Sequence, residues 1–313
     1  MRAIVMRERG SHDALQLEDV QEPPLLAGHV RVRVSLAGVN AEDVLVRSGA
    51  VATGPLPCTL GTEVVGVTDD GRRVVGLLDH GGYAEKVMLP LGACWDVPPG
   101  IDDQQALALV RDGIVAWHAL FTAAQVQPKE TIVVTSAGTG AGALTVQLAH
   151  RFGTRVIALA EHTAERDYAL EIGADAVVDS AATDLAGEVM AAAGGPVDAV
   201  VDLGGGASVA RLTATVTPGG RIALYGHPPA SAPPIGIDLL LGQSLTVSGF
   251  HLPHLCRDQM GHAMGMRALF ATILDGTLVL PPGKTYPLEA AAQAHHDLET
   301  NPGPHKIALD VTI

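Results

Sequence analysis

Thr131-Ile132-Val133-Val134-Thr135-Ser136-Ala137-Gly138-Thr139-Gly140-Ala141-Gly142-Ala143 decides how the rest of the chain is read. Its first five residues form a continuous apolar run, the mark of a strand covered on both faces in a parallel sheet. A glycine-rich turn follows, then a helical stretch from about Ala143 to Phe152. Gly138-x-Gly140-x-x-Ala143 fits the G-x-G-x-x-G/A pattern. Glycine permits a tight turn with positive φ, and a missing Cβ lets a pyrophosphate approach the backbone. A small third residue lets helix and strand pack closely, and the helix start offers N–H groups and a positive dipole end to the phosphates. Ser136, Gly138, Thr139, Gly140, Ala141 and Gly142 are therefore candidate cofactor-binding residues. No Walker lysine follows, which argues against a phosphate-hydrolysing P-loop.

Strand and helix alternate outward from this turn. Strands are expected at 155–160, 176–179, 197–202, 221–226 and 245–250, with helices at 163–172, 186–193 and 208–215 between them. Six strands with helical crossovers predict a doubly wound sheet. The second strand ends at Ala160, where the adenosine ribose of a dinucleotide is read. A small residue there leaves room for a 2′-phosphate, and Arg166 can pair with it, whereas an inward Glu161 would repel it. The expected cofactor is NADPH, with NADH possible. Gly204, Tyr225, Gly226 and Phe250, just past later strands, complete the cofactor-binding set.

The first ~120 residues read as β-rich, by period-2 alternation at 30–36 and short apolar runs at 63–67, 73–77 and 84–89. The last ~50 residues predict a helix near 259–275, a second near 288–299 and a final strand at 307–311 that rejoins the N-terminal domain. The 313 residues suggest two domains, at roughly 100–200 residues each. We place them at 1–122 plus 265–313 and at 123–264. Apolar residues make up 47% and charged residues 17% of the chain, which argues against disorder. A formal charge of −14 argues against a nucleic-acid partner. No apolar run is seen to approach the ~18 residues of a membrane span, and no signal peptide is evident, so a cytoplasmic location is expected. Cys58, Cys94 and Cys256 are widely spaced and read as small buried hydrophobes.

Further motifs add a resemblance. Ala37-Gly38-Val39-Asn40-Ala41-Glu42-Asp43 with Arg47 and Gly49, Leu60-Gly61-Thr62-Glu63-Val64-Val65-Gly66, Gly81-Gly82-Tyr83-Ala84-Glu85, Gly142 to Gln147, Pro218-Gly219-Gly220-Arg221 and the tail from Tyr286 to Leu309 resemble the medium-chain dehydrogenase/reductase superfamily, in its zinc-independent quinone oxidoreductase and enoyl reductase branch. The resemblance covers nearly the whole chain. It implies an α/β fold in which a GroES-like β-rich catalytic domain is split around a central Rossmann domain, with a cleft between them, and it implies a homodimer. Zinc members carry Cys where Asn40 stands and His where Thr62 stands, so those catalytic ligands are missing and no metal is expected. Asn40 and Asp43 match positions lining the family's active cleft and are the candidate catalytic residues. Val115, Ser180 and Glu165 depart from the family's Thr, Tyr and Lys, and Arg111-Asp112 introduces unusual charge. His80, His118 and His251 are expected to be structural or surface histidines, His295-His296 to lie on a surface helix, Tyr83 to be structural and Arg47 a loop anchor or phosphate partner. Met260, Met264 and Met266 read as helix packing or a pocket lip.

The expected function is NAD(P)H-dependent hydride transfer to a quinone or α,β-unsaturated carbonyl, a small-molecule substrate. A biosynthetic tailoring enzyme on the same scaffold, such as a cyclase or enoyl reductase, is one alternative. A non-catalytic dinucleotide-binding redox sensor is another.

Overall fold

The computed structural model describes all residues except 52–53, 206–207, 228–233, 253–258, 302 and 313; Cys256 lies outside the described residues. Two compact units emerge. The first holds Met1–Arg111, Cys256–Leu274 and Leu280–Ile313; the second holds Asp112–Leu255 and Asp275–Val279. Sequence alone sets these divisions at 122/123 and 264/265.

In chain order, the first unit opens with β1 (Arg2–Met6) and β2 (Leu15–Asp19), an antiparallel pair that the sequence pattern does not announce. Then come β3 (His29–Val39), α1 (Ala41–Ser48), β4 (Glu63–Thr68), β5 (Arg73–Leu77), β6 (Lys86–Pro90) and β7 (Cys94–Asp96). Helix α2 (Asp103–Ala123) spans 21 residues and widens into π-type turns at Leu109–Gly113 and His118–Ala123. Among the described residues it alone is long and apolar enough to cross a membrane, yet most of it is buried inside the protein. It escapes a reading for unbroken apolar runs because Arg111, Asp112 and His118 interrupt it.

The second unit holds β8 (Thr131–Val134), α3 (Gly140–Phe152), β9 (Arg155–Ala160), α4 (Thr163–Glu171), β10 (Ala176–Asp179), α5 (Leu185–Ala193), β11 (Val197–Asp202), α6 (Val209–Leu212), β12 (Val216–Leu224), α7 (Ile237–Gln243) and β13 (Thr246–Gly249). Its sheet has the order β10-β9-β8-β11-β12-β13, parallel throughout. This is the doubly wound dinucleotide-fold order. Ile132, Val133 and Val134 on β8 and Ala199, Val200 and Val201 on β11 are fully buried, which explains why these strands read as unbroken apolar runs. β8 lies between β9 and β11. The chain winds in opposite directions from it, which opens a crevice at its carboxyl end.

The chain returns to the first unit through α8 (Gln259–Leu274), then β14 (Lys284–Pro287), α9 (Ala291–Thr300) and β15 (Ile307–Asp310). β15 pairs antiparallel with β3, Ile307 opposite Val39 and Asp310 opposite Leu36. The tail thus completes the seven-stranded sheet of the first unit. Val32, Val34, Val64, Val74, Tyr83, Leu89 and Leu309 meet in its core.

Candidate functional site

The turn between β8 and α3 carries the dinucleotide candidates. Ser136 leaves the strand in left-handed backbone, φ 52°, and Gly140 turns the chain again at φ 40°. A bulky L-residue resists such angles, and strain of this kind concentrates at ligand-binding turns. Gly142 is packed still more tightly than the position expected to pack closely, Ala143, which is itself buried. A Cβ at Gly142 would stand 1.9 Å from the Ser136 carbonyl oxygen, so this glycine sets how tightly α3 abuts the strand. A Cβ on Gly140 would meet only the Asp112 carboxylate, at 3.7 Å. The glycine turn thus stands at the positive end of a 13-residue helix, with the Asp112 carboxylate beside it.

Neighbouring strand ends wall this turn. Thr135 Oγ1 donates to Asp202 Oδ1 at 2.9 Å and accepts from Leu203 N at 2.9 Å, lashing the ends of β8 and β11 together. Gly204 faces Ser136 Oγ. The Tyr225 and Phe250 rings stack 5.0 Å apart at 24°, and Gly226 lies against Gly205. At the tip of β9, Arg166 Nη1 donates to the carbonyls of Ala160 (3.2 Å) and Glu161 (2.6 Å) and pairs with Asp179 at 3.3 Å. Glu161 is exposed. Because the strands are parallel, these residues gather at one edge of the sheet.

A separate polar cluster lies in the first unit, around Asn40 at the start of α1. Asn40 and Asp43 are both buried. Asn40 Oδ1 accepts from Lys306 Nζ at 2.7 Å, and its Nδ2 donates to Glu63 Oε1 at 3.0 Å. Lys306 also pairs with Glu63 at 2.5 Å. The amide of this candidate catalytic residue thus has both ends engaged in a buried ion pair. Asp43 accepts from Asn40 N (2.9 Å) and Gly61 N (3.0 Å). Burial lifts its carboxyl to about 6, with Arg111 pulling the other way. Arg111 Nη1 donates to Thr62 Oγ1 at 2.8 Å, and Nη2 pairs with Glu42. Asn40 and Thr62 therefore each accept a hydrogen bond from a cationic side chain. Glu63 and Lys306 are absent from the sequence-derived site, although both stand inside motifs used for it; nothing local signals a pairing so distant along the chain.

Other assignments sort by burial. Tyr83 and His295 are fully buried, with hydroxyl and Nε2 3.1 Å apart; His295 is not a surface residue. Burial also drives its imidazole down to about 3, keeping it neutral. Arg47 is buried and paired with Glu299 at 3.0 Å. His118 is buried against Thr122, while His80 and His251 are exposed. Met266 packs inside, but Met260 and Met264 are exposed. Cys58 and Cys94 are free and only partly buried, not core residues. A cavity of about 430 Å³ is lined by Val5, Val20, Pro57, Cys58, Leu60 and His80. Among the described residues no three His, Cys, Asp or Glu side chains cluster as metal ligands would.

Residues 26–99 match the alcohol dehydrogenase GroES-like domain, and residues 140–267 match the family described as zinc-binding dehydrogenase. The chain is 28% identical to the quinone oxidoreductase of Rattus norvegicus, covering 95% of this chain and 94% of that one. It is likewise 28% identical to a 2-haloacrylate reductase of Burkholderia sp, covering 94% of each. The solved quinone oxidoreductase of Thermus thermophilus, also studied in complex with NADPH, is 31% identical with a TM-score of 0.87 over 99% of this chain and 100% of that one. The chain belongs to the medium-chain dehydrogenase/reductase superfamily, quinone oxidoreductase type. Its two units are accordingly the GroES-like and Rossmann-type modules of that family.

Proposed function

We propose that this protein is an NADPH-dependent, zinc-independent reductase that delivers hydride to a quinone or an α,β-unsaturated carbonyl. The observation that carries the reading is the Ser136–Gly142 turn, a glycine turn at the switch point of a 3-2-1-4-5-6 parallel sheet. The residues fit a dinucleotide. Ser136, Gly138, Thr139, Gly140, Ala141 and Gly142 would line the pyrophosphate, with the Asp112 carboxylate beside Gly140 moving aside; the Thr139 and Gly142 N–H groups already serve the turn itself, donating to the Ser136 and Thr139 carbonyls. Ala160, Glu161 and Arg166 would meet the adenosine ribose and its 2′-phosphate, and Gly204, Tyr225, Gly226 and Phe250 would flank the rest. NADPH is the natural choice, because Arg166 stands at the β9 tip and relatives of this type are described with NADPH.

The bound dihydronicotinamide supplies the hydride. The protein's own part is to orient the acceptor, exclude water and stabilise the negative charge that grows on the acceptor oxygen. Asn40 and Asp43 serve that part as positioning residues, since each is buried and tied to the cationic cluster. With Asn40 and Thr62 hydrogen-bonded to organic cations, the charge comes from side chains and not from zinc. We take residues 123–264 as the dinucleotide-binding domain and 1–122 with 265–313 as the catalytic domain. We read the working form as a cytoplasmic homodimer acting on a small molecule.

The test follows NADPH and NADH oxidation with 1,2-naphthoquinone, simple enones and enoyl thioesters as acceptors. Turnover is expected with NADPH and at least one acceptor. Saturable cofactor binding without oxidation against every acceptor would sink the enzyme reading and favour a sensor.

A further inference from the structure

Arg111 sits where a charge is costly. It and Asp112 are the only Lys, Arg, Asp or Glu residues between positions 104 and 123. Leu107, Leu109, Val110, Ile114 and Val115 around them are essentially inaccessible. The Arg111 side chain is itself only 12% exposed, so its charge is largely withdrawn from water and must be compensated by protein groups. The π-type turn at Leu109–Gly113 is what makes the placement possible. An extra residue per turn shifts side chains off the helix's regular face, and such turns recur at functional sites.

The anchoring is specific. Thr62 Oγ1 holds one terminal nitrogen at 2.8 Å and the Glu42 carboxylate holds the other. Two bonds on a planar fork fix the orientation of its plane. Both anchors flank Asn40: Glu42 is two residues along α1, and Thr62 precedes the Glu63 that Asn40 contacts. The Arg111 side chain retains 12% exposure, so the group is not sealed. A cation held in one orientation with part of its side chain open to solvent can take an oxyanion in competition with the Glu42 and Asp43 carboxylates it already faces.

We propose that Arg111 is the catalytic residue that receives the acceptor's carbonyl oxygen, which makes carbonyl-conjugated electrophiles the substrate class. The inference rests on the reductase reading. Hydride adds with its electron pair to the β-carbon of an enone. The C=C π pair moves between the α-carbon and the carbonyl carbon, and the C=O π pair moves onto oxygen, leaving an enolate held by the guanidinium. Water then gives a proton to the α-carbon, the C=O bond re-forms, and the hydroxide left is neutralised by a proton from bulk solvent, so the net reaction consumes one proton. The substrate gains two electrons and two hydrogens; the dihydronicotinamide is oxidised. For a quinone the transferred hydrogen forms its bond to the far carbonyl oxygen, its electron pair passes through the ring, the C=O π pair at Arg111 moves onto that oxygen, and the resulting hydroquinone monoanion takes one proton there.

The test uses 4-nitrophenol, whose phenolate is an enolate-like oxyanion with its own colour, and needs no turnover. Bound to the cofactor-free wild type, the probe is expected to ionise about one or more pH units below its free value, as it does beside a fixed cation. Arg111→Met should abolish the shift and Arg111→Lys should keep part of it. Glu42→Gln should enlarge it by removing the competing carboxylate, whereas a merely structural ion pair predicts no gain. NADPH titration by fluorescence, run on the same proteins, reports the reductase reading separately. No bound probe in the wild type, or an equal shift in Arg111→Met, overturns the proposal even where NADPH still binds. Should Arg111→Met fail to fold, an unchanged shift in Glu42→Gln overturns it alone.

Discussion

Asp43 is a carboxyl group enclosed by protein, and its energetics follow from that. Its pKa in the fold is about 6 against an ordinary 3.8, raised by burial despite Arg111 and two backbone N–H donors, with Glu63 raising it further. A raised carboxyl favours the folded state only while protonated. Its contribution is complete below pH 3.8 and is lost as pH climbs through about 6, a loss of about 3 kcal/mol at 1.36 kcal/mol per unit. Asp43→Asn should therefore remove a downward slope of stability with pH in that window, as urea titrations at several pH values would show. Arg-paired exposed carboxylates such as Glu85 and Asp275 slope the other way at lower pH in both proteins, so the difference between the two curves isolates Asp43. Identical curves would contradict the assignment. Lys306 makes the complementary case. Lys306→Met leaves Glu63 a buried, uncompensated charge and should cost about 3–5 kcal/mol, read as a fall in Tm. Adding Glu63→Gln should recover much of that loss, and a double variant no more stable than the single one counts against the pairing.

Strand ends carry the chemistry at the scale of elements. The tip of β9 holds Arg166 with its guanidinium on the Ala160 and Glu161 carbonyls. Arg166→Ala should weaken NADPH binding about 10- to 100-fold, the worth of a charge-assisted contact, and leave NADH nearly unaffected; equal losses for both nucleotides would refute a 2′-phosphate role. Gly140→Val should abolish binding of both, because a β-branched residue resists φ 40° and fills the turn. Unaltered titration of either nucleotide would refute that. The strands β8, β9 and β11 are legible in sequence because residues buried on both faces must be mostly apolar, which a single chain displays directly. β2 is not, since Leu15–Asp19 is mostly exposed on a two-stranded ribbon and carries no strong period. Arg111 stands out as an odd charge in an apolar helix. Its meaning does not, because Thr62 and Glu42 lie 49 and 69 positions away and only the folded chain unites them.

For the whole molecule, the edge of the second sheet matters most. Among the described residues β13 ends that sheet, and α7 before it exposes Ile237 (71%) and Leu241 (75%). A sheet edge beside exposed apolar side chains invites pairing with a second copy. Leu241→Glu should convert the inferred dimer to a monomer by light scattering while the circular dichroism spectrum stays unchanged; a variant of undiminished mass would place the interface elsewhere. The formal charge of −14 keeps such a dimer from further association.

Quinones and enones alkylate thiolates, so an enzyme that handles them risks being consumed by them. Burial raises the Cys94 thiol to about 11 and lifts that of Cys58 above its ordinary value, although Cys58 lines a cavity a small electrophile can enter. Only the ionised sulfur attacks. At neutral pH both sulfurs are therefore ionised less than an ordinary cysteine, and peptide mapping during exposure to naphthoquinone should find Cys58 and Cys94 arylated more slowly than a free cysteine, Cys94 the slower of the two: burial that packs the fold also blunts its thiols toward electrophiles.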